Sequence, residues 1–80
     1  MADVFPVPAK NTLNVRFDGV VSERCQVTVM EMSGHTVYHK QHGFANNILQ
    51  LDVSGLLQGV YVLYIKANNT VYRKQFVIAR

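Results

Sequence analysis

Apolar residues recur at alternate positions through most of this chain, in short runs that stop at glycine, asparagine, aspartate or serine. Alternation puts every second side chain on one face of an extended strand. Runs of this kind separated by turn residues every ten positions or so fold into a sandwich or a barrel. No helix-period pattern with capping residues interrupts them, so helix beyond a single turn is not expected.

The first segment, Val4 to Pro8, carries Pro6 and Pro8. Proline cannot donate to a ladder, so this segment reads as an edge strand or an extended lead-in. Leu13, Val15 and Phe17 then alternate with polar residues in a strand from Thr12 to Asp18, closed by Asp18-Gly19. A further strand runs from Arg24 to Met32, and Ser33-Gly34 reads as a two-residue hairpin turn into His35–Lys40. That hairpin leaves apolar residues on both faces. A bulge near Met30–Glu31 would gather Val27, Val29, Met32 and Val37 on one side, and is the favoured reading.

Residues 41–47 read as a polar loop, with Gly43, Asn46 and Asn47. Leu49, Leu51 and Val53 alternate in a strand that ends at Ser54-Gly55. Asn68-Asn69 suits a two-residue turn, because asparagine adopts left-handed dihedrals at low cost. Pairing Ala67 with Thr70 then sets Ile65 opposite Tyr72, Leu63 opposite Lys74 and Tyr61 opposite Phe76. The resulting face is apolar except for Lys74, which is expected to reach a sheet edge or to pair with Glu31 or Asp52. Seven short, mainly antiparallel strands and one apolar seam predict an all-β, Ig-like sandwich. Residues 4–80 form one domain in this reading, with 1–3 a linker or expression remnant.

Composition narrows the function. At 80 residues the chain holds a single domain with a thin stability margin. An apolar content of 49% with 16% charged residues argues against intrinsic disorder. The net charge of +3 is spread along the chain and reads as solubility charge. Cys25 is the only cysteine, so no internal disulfide staples the fold, and it reads as a small buried strand residue. No run is long and apolar enough for a membrane-spanning helix, and the first residues do not have the form of a secretory signal peptide.

His35, His39 and His42 suggest a metal only superficially. On a strand, His35 and His39 share a face roughly 13 Å apart, too far for one zinc. Asp52 and Ser54 lack the strained nucleophile context of a hydrolase. The five acidic residues offer no convincing acid/base pair, so no catalytic residue, metal site or cofactor is expected and the chain does not read as an enzyme. Asn68-Asn69-Thr70 fits a glycosylation sequon, but the turn needs asparagine for its dihedrals alone. Nucleic-acid binding is not expected either, because the aromatics fall mostly at inward positions instead of on one exposed strand pair.

Four segments together resemble one family. Val4-Phe5-Pro6-Val7-Pro8-Ala9-Lys10-Asn11-Thr12-Leu13-Asn14-Val15 is similar to the opening aromatic-P-N-P-A-x-x-x-L-x-V pattern of the type IX secretion sorting domain, type A, found at the C-termini of Bacteroidetes cargo proteins. Glu31–Tyr38 resembles its acidic-x-x-G-x-x-V-Y hairpin. Leu51-Asp52-Val53-Ser54-Gly55-Leu56 and Gly59-Val60-Tyr61-Val62-Leu63 resemble its L-D-(V/L)-S-x-L-x-x-G-x-Y-x-(V/L) block, and Arg73–Arg80 its last K-x-(F/L)-V strand. Val7 stands where the family usually has asparagine, and Leu57-Gln58 where it has Pro-Ala.

The resemblance implies a secretion signal. Such a domain follows an N-terminal cargo domain that has entered the periplasm. It is recognised, folded, by an outer-membrane translocon, and is commonly removed by a sortase-like peptidase upstream of Val4 as the cargo is attached to the cell surface or released. By resemblance, the residues recognised are Gly59, Val60, Tyr61 and Leu63 in one block and Lys74, Phe76, Val77 and Arg80 in the last strand. An open sheet edge also offers a route to weak homodimerisation. An immunoglobulin- or fibronectin-like accessory module binding carbohydrate or a protein partner remains an alternative, since fold does not fix function.

Overall fold

The computed structural model describes residues 2–17, 24–43, 47–67 and 70–80. Seven strands appear among them: β1 (Ala2–Phe5), β2 (Thr12–Phe17), β3 (Arg24–Glu31), β4 (Thr36–Gly43), β5 (Ile48–Asp52), β6 (Gly59–Ala67) and β7 (Thr70–Ile78). They form two antiparallel sheets, one ordered β1-β2-β5 and the other β4-β3-β6-β7. The chain is an all-β sandwich, as the alternation predicts.

The inward residues of the two sheets make one core. Leu13, Val15, Phe17, Leu49 and Leu51 come from the first sheet, and Val27, Val29, Leu63, Ile65, Phe76 and Ile78 from the second. Each fully buried aliphatic or aromatic side chain contributes about 1.5–3 kcal/mol relative to exposure. Phe17 meets Tyr72 edge-on across the sheets at 5.0 Å, and Tyr61 stacks on Phe76 within one sheet at 5.7 Å. Among the described residues no polar or charged residue is buried, so the core needs no internal polar pairing.

The β6–β7 register is the one expected from the turn: Ala67 pairs with Thr70, Ile65 with Tyr72, Leu63 with Lys74 and Tyr61 with Phe76. Lys74 is exposed on β7, at the edge of its sheet. It pairs with neither Glu31 nor Asp52; the ion pairs among the described residues join Arg16 to Asp3 and His35 to Glu31. The expected turns at Asp18-Gly19 and Asn68-Asn69, the latter with the two asparagines of the sequon, and Asn46 lie outside the described residues.

The β3–β4 hairpin departs from expectation in three ways. Its loop has three residues, Met32-Ser33-Gly34, closed by Gly34 N–H to Glu31 O at 2.9 Å and by Glu31 N–H to His35 O at 2.9 Å. A two-residue turn would need a positive φ at Ser33, whereas only Gly34 adopts one here, at +93°. Met32 therefore sits in the turn, 60% exposed, and does not join Val27, Val29 and Val37. The bulge is present, but its extra residue is Val37: Met30 pairs with Thr36 and Val29 with Tyr38. Val37 and Tyr38 both turn toward the core as a result.

The third departure is that β4 continues to Gly43, pairing Gln41 with Gln26, His42 with Cys25 and Gly43 with Arg24. This stretch reads as loop in the sequence because an edge strand with solvated side chains needs no apolar alternation. At the other end, β1 begins at Ala2, so Ala2 and Asp3 pair with Phe17 and Arg16. Pro6 and Pro8 fall just beyond the ladder. Val53 lies past β5 but stays buried, its N–H donating to Asn11 O at 2.9 Å.

Candidate functional site: the pole where the sequence blocks meet

The strand order carries distant segments to one end of the sandwich. Ala9, from the lead-in, forms a parallel bridge with Ile78: its N–H donates to Val77 O at 2.8 Å, and Ala79 N–H donates to Ala9 O at 3.0 Å. The lead-in thus closes the last part of the β7 edge.

Beside it, the turn after β5 is built by local bonds. Leu56 N–H donates to Val53 O at 3.0 Å, and Ser54 N–H donates to Asp52 Oδ1 at 3.0 Å. The bonds from Ser54 hold the Asp52 carboxyl below its usual range. The Asp52–Ser54 pair is thus a turn element.

Two struts hold this turn, one local and one from the far end of the sequence. Tyr61 Oη donates to Leu57 O at 2.5 Å. The Arg80 guanidinium donates to Leu56 O and, at 2.7 Å, to Val53 O, while Arg80 N–H reaches Gln58 Oε1 at 3.4 Å. A guanidinium suits this task because its planar fork can serve two carbonyls at once.

The β3–β4 hairpin tip lies against the same turn. Between them runs an open groove of about 790 Å³, with Glu31, Met32, His35 and Val37 on one side and Leu56, Leu57, Val60 and Tyr61 on the other. Leu57 is 83% exposed and Val60 39%. Met32, expected beside Val27 and Val29, and Leu57, noted only as a departure from the family's pattern, were not among the residues expected to be recognised. The signal available was an apolar residue inside a turn, where alternation gives it no buried place.

The eight residues expected to be recognised divide by accessibility. Gly59, Val60, Val77 and Arg80 cluster at this pole, with Val60 paired to Val77 on the outer face of the sheet. Lys74 is accessible but projects to the opposite face of β7, with Tyr72 and Phe76. Tyr61, Leu63 and Phe76 are buried. Their direct work is to pack the core beneath the pole.

The histidines are held apart, each by its own partner. His35 Nδ1 lies 3.3 Å from Glu31 Oε1, His39 Nδ1 2.8 Å from Thr28 Oγ1, and His42 Nε2 2.5 Å from Tyr38 Oη. His39 and His42, three residues apart on a regular stretch of β4, fall on opposite faces of the strand. Burial, aided by the Lys40 charge, lowers the His42 imidazole; burial, aided by Asp52, raises the Tyr38 phenol. Both shifts favour a neutral hydrogen-bonded pair. Burial also raises the Cys25 thiol, against a smaller opposing effect from its backbone bond with His42, which keeps it a packing residue.

Fold and pole together define a small β-sandwich module whose distinctive surface is a strutted turn and groove. The chain matches the family described as Secretion system C-terminal sorting domain over residues 3–79, nearly its whole length, and it belongs to that family. Members are sorting signals of type IX secretion, a family of signals and not of enzymes, and they direct export across the outer membrane to the cell surface or the medium. No curated protein matches the chain significantly.

Proposed function

We propose that this domain is read in its folded state by the type IX outer-membrane translocon, after an N-terminal cargo has brought it through the periplasm. The pole is the part read: Gly59, Val60, Val77 and Arg80, extended by Met32 and Leu57 across the groove. Tyr61, Leu63 and Phe76 serve this indirectly by fixing the pole's shape, and Lys74 offers a separate charge on the neighbouring edge. A sortase-like peptidase then cuts upstream of the sandwich and the cargo is attached at the surface or released. The domain itself carries out no chemistry.

The observation that carries this reading is convergence. Four blocks scattered through the sequence meet at one end of the molecule, and accessible side chains there include apolar ones with no packing role. Exposed apolar patches bounded by polar groups commonly mark protein contacts.

The experiment is a fusion of residues 4–80 behind a periplasmic reporter in a type IX-competent host. Export of the reporter, lost in a Met32→Ser/Leu57→Ser variant that still melts like the parent, is the expected result. A reporter that stays periplasmic with the intact domain, or leaves equally well with the altered pole, overturns the proposal.

A further inference from the structure

The outer face of the four-stranded sheet, at the end away from the groove, has a different character. Register places Gln41, Gln26, Lys66 and Val71 in one row across β4, β3, β6 and β7, and His39, Thr28, Tyr64 and Arg73 in the next. Arg24 stands one step further along β3. Arg24, Lys66 and Arg73 therefore lie on a diagonal across three strands, at backbone steps of about 8 Å given strand spacings near 4.8 Å and two-residue rises near 6.8 Å.

Among the described residues nothing neutralises this diagonal. Asp3, Glu31 and Asp52, the acids among the described residues, lie on β1, at the hairpin end of β3 and on β5. Arg24, Lys66 and Arg73 join no ion pair there. The cations are nonetheless placed: Arg24 Nη1 donates to Gln41 Oε1 at 3.5 Å, and the Arg73 guanidinium stands 6.0 Å from the centre of the Tyr64 ring. Arg24, Gln26, Gln41 and Lys66 surround a shallow depression of about 230 Å³.

We infer that this depression and diagonal form a binding site for an anionic glycan, a chain of carboxylated sugars. Two cations at the depression suit a carboxylate. The two side-chain amides between them offer donors and acceptors together, the combination that vicinal hydroxyls require. Arg73, held over the Tyr64 ring, extends the track to further sugars. Charge complementarity selects a polyanion. The amides at its centre select a polyhydroxylated one over a membrane, which would call for a buried apolar face. The single aromatic, already covered by Arg73, does not make the stacking platform that single-stranded nucleic acid uses.

The test titrates the full chain with oligogalacturonate, using an uncharged galactose oligomer, anionic lipid vesicles and single-stranded RNA as comparisons. The expected result is binding to oligogalacturonate that weakens with salt and is absent for the neutral oligomer. Lys66→Glu with Arg73→Glu should weaken it about tenfold or more, a change of about 1.4 kcal/mol. Gln26→Ala with Gln41→Ala should weaken it without altering the salt dependence, which isolates the amides. All four positions are exposed on a solvated face, and unchanged thermal melting checks the fold. Lys10→Glu with Lys74→Glu removes equal charge elsewhere and should leave binding intact. No binding of oligogalacturonate, equal loss in the Lys10/Lys74 variant, or stronger binding to vesicles or RNA would each overturn the assignment.

Discussion

Arg80→Ala tests whether the guanidinium is a strut or only a surface charge. The substitution removes donors from the Val53 and Leu56 carbonyls and frees the turn that Tyr61 also holds. A hydrogen bond to a charged group contributes about 1.5–3 kcal/mol when water is excluded, but solvent reaches this site and can replace part of each bond, leaving about 1.5 kcal/mol for the pair. That is a sizeable share of the roughly 4–12 kcal/mol expected for a domain of this length. It corresponds to a urea midpoint lower by about 1–1.5 M and a melting temperature lower by about 6–12 °C. Arg80→Lys keeps the charge but not the planar fork, and should recover at most about half of the loss. Tyr61→Phe removes the other strut, so the double variant should lose less than the sum of the single losses. An Arg80→Ala domain that unfolds with the parent's midpoint, or a lysine that restores it fully, would refute the strut.

Three further outcomes follow from packing, backbone and charge. Phe76→Ala, at a fully buried ring, should cost about 3–5 kcal/mol and leave the domain marginal or unfolded by circular dichroism. Gly34→Ala has open space for its methyl group but demands a left-handed backbone, so denaturant unfolding should show a loss of about 1–2 kcal/mol; Gly55→Ala, equally open and without a positive φ, should lose nothing measurable. His42 has a lowered folded pKa, so the native state binds fewer protons than the unfolded chain and stability falls as pH drops through the unfolded value near 6.5. Melting curves from pH 8 to 5 should slope less in His42→Gln; identical slopes would show that His42 does not contribute.

How much of this was legible in the sequence depends on what each feature needs. The β6–β7 register can be read because Asn68-Asn69 reads as a two-residue turn, which sets Ala67 opposite Thr70 and fixes every pair after it. The β3–β4 hairpin resists the same reading, because Met30, Met32 and Val37 are apolar whichever face they take, and only the left-handed Gly34 settles the loop length. Residues 41–43 resist it too, since an edge strand exposed to water resembles a loop. The pole was legible as four blocks but not as a place. Ala9 beside Ile78 and Arg80 over Val53 depend on how the strands are ordered, and local periodicity is silent on that. The Arg24–Lys66–Arg73 diagonal is hidden for the same reason: three cations far apart in sequence align only after β3, β6 and β7 stand side by side.

The alternating apolar positions of the family's pattern are buried here: Leu13 and Val15, Leu51 and Val53, Tyr61 and Leu63, Phe76. These positions specify a shape, and recognition must act through the accessible groups around them. These two roles separate experimentally. Leu13→Ala removes part of a fully buried side chain at a cost of about 2–5 kcal/mol, comparable to the whole stability of so small a domain. Export of a fused reporter should then fall with the folded fraction and recover when cells grow at lower temperature. Leu57→Ser alters an exposed position and should change stability by less than about 0.5 kcal/mol, yet reduce export at every temperature. If the unfolded Leu13→Ala domain is exported as well as the parent, the machinery reads a linear segment. The convergence of blocks at the pole would then be a consequence of packing alone.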